Sequence, residues 1–285
     1  MTRIEAVTLP AGLWVDETCH RTASIVAPSG LDEVYAQDVA GLPMARQVSG
    51  FLARCVVRIG DVAPVTPAIA SRLTVGDREA LLLRLRILAC GSLVQSKVEC
   101  PQPTCGQAID VEIDAMQLLS TKTVAAPPLR TRRNSLPVME FRLPTGEDQE
   151  AVAAVARHDP QRAALEIARR CIVPGKGGRV PSFQGARGRR RLAHLADAMA
   201  TEDPQAETMV GISCPACGGE SLALLDAGAY VLGEMRQRAR LLQTQVHEIA
   251  LHYHWAERDI LAMPPGRRES YLALLHGQGM EGGRP

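Results

Sequence analysis

Apolar positions along the chain fall into patterns that name their elements. Val7 to Leu9 and Ala23 to Val26 are short apolar runs either side of a polar Asp-Glu-Thr stretch, the pattern of a hairpin. A helix is predicted around Met44 to Cys55, closed by the Pro-rich VAPVTP. Thr74-Val75-Gly76-Asp77 reads as a capping box, the Thr oxygen accepting from the Asp77 amide while the carboxylate reaches back. Leu81, Leu85 and Leu88 follow at helical spacing, so that helix buries one face. In AIDVEIDA, Ile109, Val111 and Ile113 alternate with charge, as in a half-buried strand. The longest regular pattern is Leu232, Met235, Ala239, Leu242, Val246, Ile249 and Tyr253, spaced 3, 4, 3, 4, 3, 4, a three-heptad seam on one long helix. It either packs across the molecule or offers a surface to a partner. Past a break near Glu257, Pro264 or Pro265 starts a last short helix. The tail GQGMEGGRP is expected to be disordered.

Sliding the chain against itself by 116 positions lays residues 27–57 on 143–173 with nine identities, among them Pro28/Pro144, Gly30/Gly146, Asp32/Asp148, Arg54/Arg170 and Cys55/Cys171. Average composition would give roughly two. Each half then reads strand, Pro-[Ser/Thr]-Gly-x-Asp turn, helix, short strand, loop, second helix, strand, cysteine pair, strand. The expected fold class is α+β: two duplicated halves related by a pseudo-twofold, followed by a C-terminal helical segment. The boundaries fall at 1–119 for the first half, 120–137 for a linker, 138–226 for the second half, 227–276 for the C-terminal helices and 277–285 for the tail.

Two cysteine pairs carry the candidate chemistry. VECPQPTCGQ holds Cys100 and Cys105, and ISCPACGGE holds Cys214 and Cys217. In both, Pro follows the first Cys and Gly follows the second. Zinc takes four thiolates in a tetrahedron, so neither pair is complete alone and the two must meet in space, forming a zinc-ribbon-like site. Such a site has no open coordination position, which makes it structural rather than catalytic. A redox reading of CPAC needs its first Cys at a helix N-terminus, and Gly218 and Gly219 make poor helix. Closing the long segment between the pairs costs only slowly more than closing a short loop. Zinc binding, about 10 to 16 kcal/mol in small peptides, exceeds that cost.

Composition narrows the rest. Lys+Arg 32 against Asp+Glu 31 leaves a net charge of +1, so no global field draws nucleic acid or an anionic membrane. The N-terminal MTRIEAVTLPAGLW lacks the apolar run of a secretory signal, and no stretch approaches a membrane span, so a cytoplasmic protein is expected. In a reducing compartment paired cysteines hold metal, and Cys19, Cys55, Cys90 and Cys171 read as small buried hydrophobes. Lys176 lies among glycines without the Ser/Thr or upstream Gly of a phosphate loop. His247 and His252 are five residues apart, which turns them about 140° around a helix and away from a shared metal. Arg187, Arg189, Arg190 and Arg191 form one concentrated basic patch in a predicted loop. They are the basis of the alternative reading, a zinc-ribbon nucleic-acid-binding protein. No nucleophile–base pair, carboxylate pair or cofactor fingerprint stands out, so no enzyme activity is expected.

Several blocks, RLTVGDREALLLRLR, CPACGG, VHEIALHYHWAERDIL and RRESYLALL, together with the order of the cysteine pairs, resemble the T-even-phage-type baseplate hub assembly chaperone family of contractile phage tails and contractile injection systems. The resemblance runs in scattered blocks over residues 70–276. It implies a protein that binds or escorts baseplate hub components during tail assembly, catalyses nothing itself, and enters or leaves a tail-like particle.

Overall fold

The structure, a computed structural model, describes residues 4–131, 138–174 and 181–277. Lys176 and the tail from 278 onward, both singled out above, lie outside the described residues.

Strand β1 (Ile4–Val15) pairs antiparallel with β2 (Thr18–Val26) through a tight turn at Asp16 and Glu17, both with positive φ. The hairpin is longer than its apolar runs predicted, because a bulge absorbs Pro10 and Gly12 between Thr8 and Leu13. Gly12, at φ 78, is the residue a bulge requires there. Next come α1 (Gly30–Asp38), α2 (Met44–Cys55) and β3 (Val56–Ile59), which joins β2 as the third strand. A short α3 (Pro67–Ser71) leads into α4 (Val75–Cys90), followed by a two-stranded hairpin of β4 (Leu93–Glu99) and β5 (Ala108–Asp114).

The second half opens with β6 (Leu129–Arg130) and β7 (Glu140–Phe141), so part of the stretch expected as linker is a strand of that half. Helices α5 (Gly146–Ala156), α6 (Pro160–Cys171) and α7 (Gly185–Glu202) follow, then a hairpin of β8 (Thr208–Ser213) and β9 (Glu220–Leu225). The chain closes with α8 (Ala227–Tyr253), α9 (Glu257–Leu261) and α10 (Pro265–Leu275). Mixed helices and small antiparallel sheets make this an α+β protein.

The 116-residue offset recurs in the geometry. Ile25 pairs with Val56 across β2 and β3, and Phe141 bridges Ile172. The Pro-[Ser/Thr]-Gly-x-Asp turn proves to be a helix start: Asp32 accepts from the Ser29 amide at 2.8 Å, and Asp148 accepts from the Thr145 amide at 3.0 Å. Arg54 reaches Asp32 at 2.6 Å and Arg170 reaches Asp148 at 2.7 Å. Each half carries two helices after that start, α1 and α2 or α5 and α6, where the sequence pattern predicted one.

Two main cores result. The first joins Leu9, Ile25, Phe51 and Leu81 to Leu232 and Met235 of α8. The second gathers Phe141, Leu143, Ile172 and Leu195, with Ala11 of β1. The α8 seam is buried at Leu232, Met235, Leu242 and Ile249, against α1, α2, α4 and α10. Polar groups stitch the cores together. The Asp77 side chain does not reach back to cap α4; its Oδ1 accepts from the Ala11 amide at 2.9 Å instead, and Thr74 alone caps, accepting from the Asp77 amide at 3.2 Å. Asp203, at the end of α7, accepts from the Gly76 amide at 3.1 Å. Burial drives both carboxyls up, Asp77 to about 7 and Asp203 to about 6, and the Asp203 charge adds to the rise at Asp77.

Of the four cysteines outside the pairs, Cys55 and Cys171 are buried as expected, while Cys19 and Cys90 are only half-buried. The Arg187–Arg191 patch is not in a loop: it occupies the first turns of α7, where cations oppose the helix dipole. Arg191 donates to the Ser182 carbonyl at 3.1 Å. His247 and His252 are exposed on α8, and His252 Nδ1 lies 2.9 Å from the Glu248 carbonyl. Among the described residues no helix is long and apolar enough to cross a membrane.

Candidate metal centre

Each cysteine pair forms the tip of a two-stranded hairpin. Cys100 follows Glu99 at the end of β4, and its amide donates to the Gln107 carbonyl at 2.8 Å. Cys214 follows Ser213 at the end of β8, and its amide donates to the Gly219 carbonyl at 2.9 Å. The second cysteine of each pair precedes a glycine in the left-handed region, Gly106 at φ 59 and Gly218 at φ 69. A Cβ at either glycine would meet nothing, so backbone conformation rather than space accounts for glycine there. The extra residues of the first tip are absorbed by a turn closed by the Cys105 amide on the Gln102 carbonyl at 2.9 Å.

The two tips meet. The sulfurs of Cys100, Cys105, Cys214 and Cys217 all lie within 4.8 Å of one another. Cys100 and Cys217 are 3.8 Å apart, as are Cys105 and Cys214. A tetrahedron with zinc–sulfur bonds of about 2.3 Å has edges of about 3.8 Å. The donor set therefore fits a thiophilic ion that takes four ligands. Beneath the sulfurs the hairpins press together through Val98, Ile109, Ile212 and Ala223, a small core of their own. Cys100 and Cys214 are buried and Cys217 is exposed, so the centre lies at the surface edge of this core.

Backbone amides aim at the sulfurs, Gln102 at Cys100, Gln107 at Cys105, and both Cys217 and Ala216 at Cys214. Such donors favour thiolate. At Cys214 the Cys217 amide outweighs burial and draws the thiol down to about 7. At Cys100 the Gln102 amide is outweighed by burial and by hydrogen bonding to the other three thiols, and the pKa is pushed up to about 12. Sharing protons in this way marks four groups too close to ionise together without a cation among them.

A family model described as T4 bacteriophage base plate protein matches residues 44–174. Over those residues the chain is similar to a T4-type phage baseplate protein. The match covers somewhat under half of the chain, from the start of α2 past the first cysteine tip to the end of α6. It stops short of the second tip and of the C-terminal helices, whose blocks also carried the resemblance in the sequence. Neither the curated proteins nor the solved structures gave a match.

All four predicted ligand residues come together, and among the described residues no other group of three or more His, Cys, Asp or Glu is placed to share a metal ion. What the sequence did not reveal is the polar junction of Asp77 and Asp203 at the start of α4. Its signal, a Gly-Asp-Arg run at a helix start, is indistinguishable in sequence from an ordinary cap.

Proposed function

We propose that this protein is a non-enzymatic assembly chaperone or structural component of the baseplate hub in a contractile phage tail or contractile injection system, with one structural zinc. The observation that carries the reading is the pairing of a baseplate region with a closed four-cysteine centre drawn from segments more than a hundred residues apart. A fourfold thiolate shell leaves no position for a substrate, so the metal serves to fasten rather than react. The two halves are read as copies of one unit, on the strength of the repeated helix starts and the repeated Arg–Asp pairs. The zinc joins one hairpin from each. Partners are other baseplate proteins, recognised through surfaces that the fastened halves hold in register.

Co-purification from the native gene cluster tests the role: the tagged chain is expected to retain a hub or baseplate protein. Isolation of the chain alone from cells making all the tail proteins would overturn the chaperone reading. Elemental analysis tests the metal, with one zinc per chain expected and less than about a tenth in Cys214→Ala, since loss of one thiolate opens the shell.

A further inference from the structure

The C-terminal helix pair repeats a docking geometry found elsewhere in the molecule. α3 and α4 begin at Pro67 and Val75; α9 and α10 begin at Glu257 and Pro265, each 190 residues on. At that offset Gly76, Arg78, Glu79, Leu82 and Leu85 fall on Gly266, Arg268, Glu269, Leu272 and Leu275. The partners of the two pairs are the equivalent helix starts, α5 and α1.

The backbone contacts correspond, while the guanidiniums find different acceptors, Arg78 donating to the Ser49 hydroxyl and to the Ala70 and Ala45 carbonyls. The Leu73 carbonyl accepts from the Gly146 amide at 3.1 Å, and the Met263 carbonyl accepts from the Gly30 amide at 3.2 Å. A Cβ at Gly146 would meet the Ser71 carbonyl at 2.9 Å and overlap the Arg78 guanidinium. A Cβ at Gly30 would meet the Leu261 carbonyl at 2.9 Å and the Arg268 guanidinium at 3.1 Å. Both arginines are almost wholly buried. Each seat is thus a capping-box helix whose first glycine lets a Gly-x-Arg helix pair press a carbonyl and a guanidinium against it.

The two occupants differ in how they are held. α4 buries Leu81, Leu82, Leu83 and Leu85 in the first core. α10 buries only Pro265 and Arg268, and α9 only Ile260. Arg268 supplies the main polar attachment, donating to both Glu33 oxygens of α1 at 2.5 and 2.6 Å and to Gln245 of α8 at 3.1 Å, with a bond to the Met263 carbonyl inside the pair, and Arg238 of α8 also donates to Glu269.

We propose that α9–α10 is a releasable clasp occupying a protein-docking seat on α1, and that the seat takes a Gly-x-Arg helix pair in trans, namely the clasp of a second copy of this chain. Glu33 is the discriminating group. Its carboxylate, buried under the clasp, requires a guanidinium and leaves a helix without one with an unpaired buried charge.

The test uses the full chain carrying Arg268→Ala and a synthetic peptide spanning residues 256–277 with Arg268 intact. Hydrogen exchange of α9–α10 is expected to quicken at least about tenfold in the variant while α4 stays protected. Fluorescence anisotropy should show the peptide binding the variant. Binding should weaken at least about tenfold to wild type, whose seat is filled, for a peptide with Arg268→Ala, and for a variant chain that also carries Glu33→Gln. An unchanged exchange rate in the Arg268→Ala chain, no peptide binding to it, or equal binding to wild type would each overturn the proposal.

Discussion

The carboxylates that start α1 and α5 hold the same place in the two halves and are treated differently. Asp32 meets one guanidinium, Arg54, on a half whose core takes in three strands, two long helices and the start of α8. Asp148 is fully enclosed and meets two, Arg142 at 2.5 Å and Arg170 at 2.7 Å, on a half with a smaller core. Position 26, the counterpart of Arg142, is Val. Burial alone would raise the Asp148 carboxyl, but Arg142, the Thr145 amide and Arg170 outweigh it and hold it far below the usual range. The same frame is steadied by apolar packing where chain is available to supply it, and by a bidentate ion network where it is not.

Removing the proposed metal should have the largest effect, and it should abolish the difference between halves by releasing both hairpins at once. Chelation is expected to lower the melting temperature by on the order of 10 °C or more, with amides of β4–β5 and β8–β9 losing protection together. Loss confined to one hairpin would show that each stands alone.

Asp148→Asn and Asp32→Asn sharpen the comparison directly. The first should cost about 2–3 kcal/mol, since two half-exposed arginines lose a buried partner, and the second about 1 kcal/mol. Equal costs in urea titrations would mean that the second arginine adds nothing.

Next come the helix-start glycines. Gly146→Ala forces a methyl group into Arg78 of the firmly packed α4 and into the Ser71 carbonyl at the end of α3, and should cost about 1–3 kcal/mol. Gly30→Ala should cost less, because the Leu261 carbonyl it meets belongs to the lightly held α9.

The smallest effect is a dependence on pH that separates the halves from their junction. Asp148, depressed when folded, contributes stability above the unfolded value of about 4 and loses it as pH falls through the folded value. Asp77 and Asp203 are raised, so the folded state binds the extra protons and stability falls as pH rises from about 4 to about 7. Melting temperature is expected to decline over that window, and Asp77→Asn should flatten the decline. A decline that Asp77→Asn leaves unchanged would assign it to other groups, such as Glu79.

Much of this was present in the residues. The α2, α4 and α8 helices, the β5 strand and the four clustered cysteines follow from apolar spacing and from paired cysteines, because these signals are local. The match at an offset of 116 residues was visible for the same reason, being carried by identities. The 190-residue correspondence rests on five positions in a short helix and was not visible without the carbonyls and guanidiniums that give those positions a shared task. The Arg187–Arg191 stretch was read as loop from its glycines and charges, and packing of Leu192 and Leu195 into the second core made it helix.

By itself the sequence determined the α2, α4 and α8 helices, the alternating β5 strand, and which four sulfurs come together. Periodicity and ligand count need only neighbours along the chain. Tertiary structure alone decided that Asp77 holds β1 rather than its own helix, that α8 serves the first core, and that α9–α10 rests on α1. Those choices depend on which buried donors and acceptors lack partners once the cores close, and that accounting exists only in the folded chain.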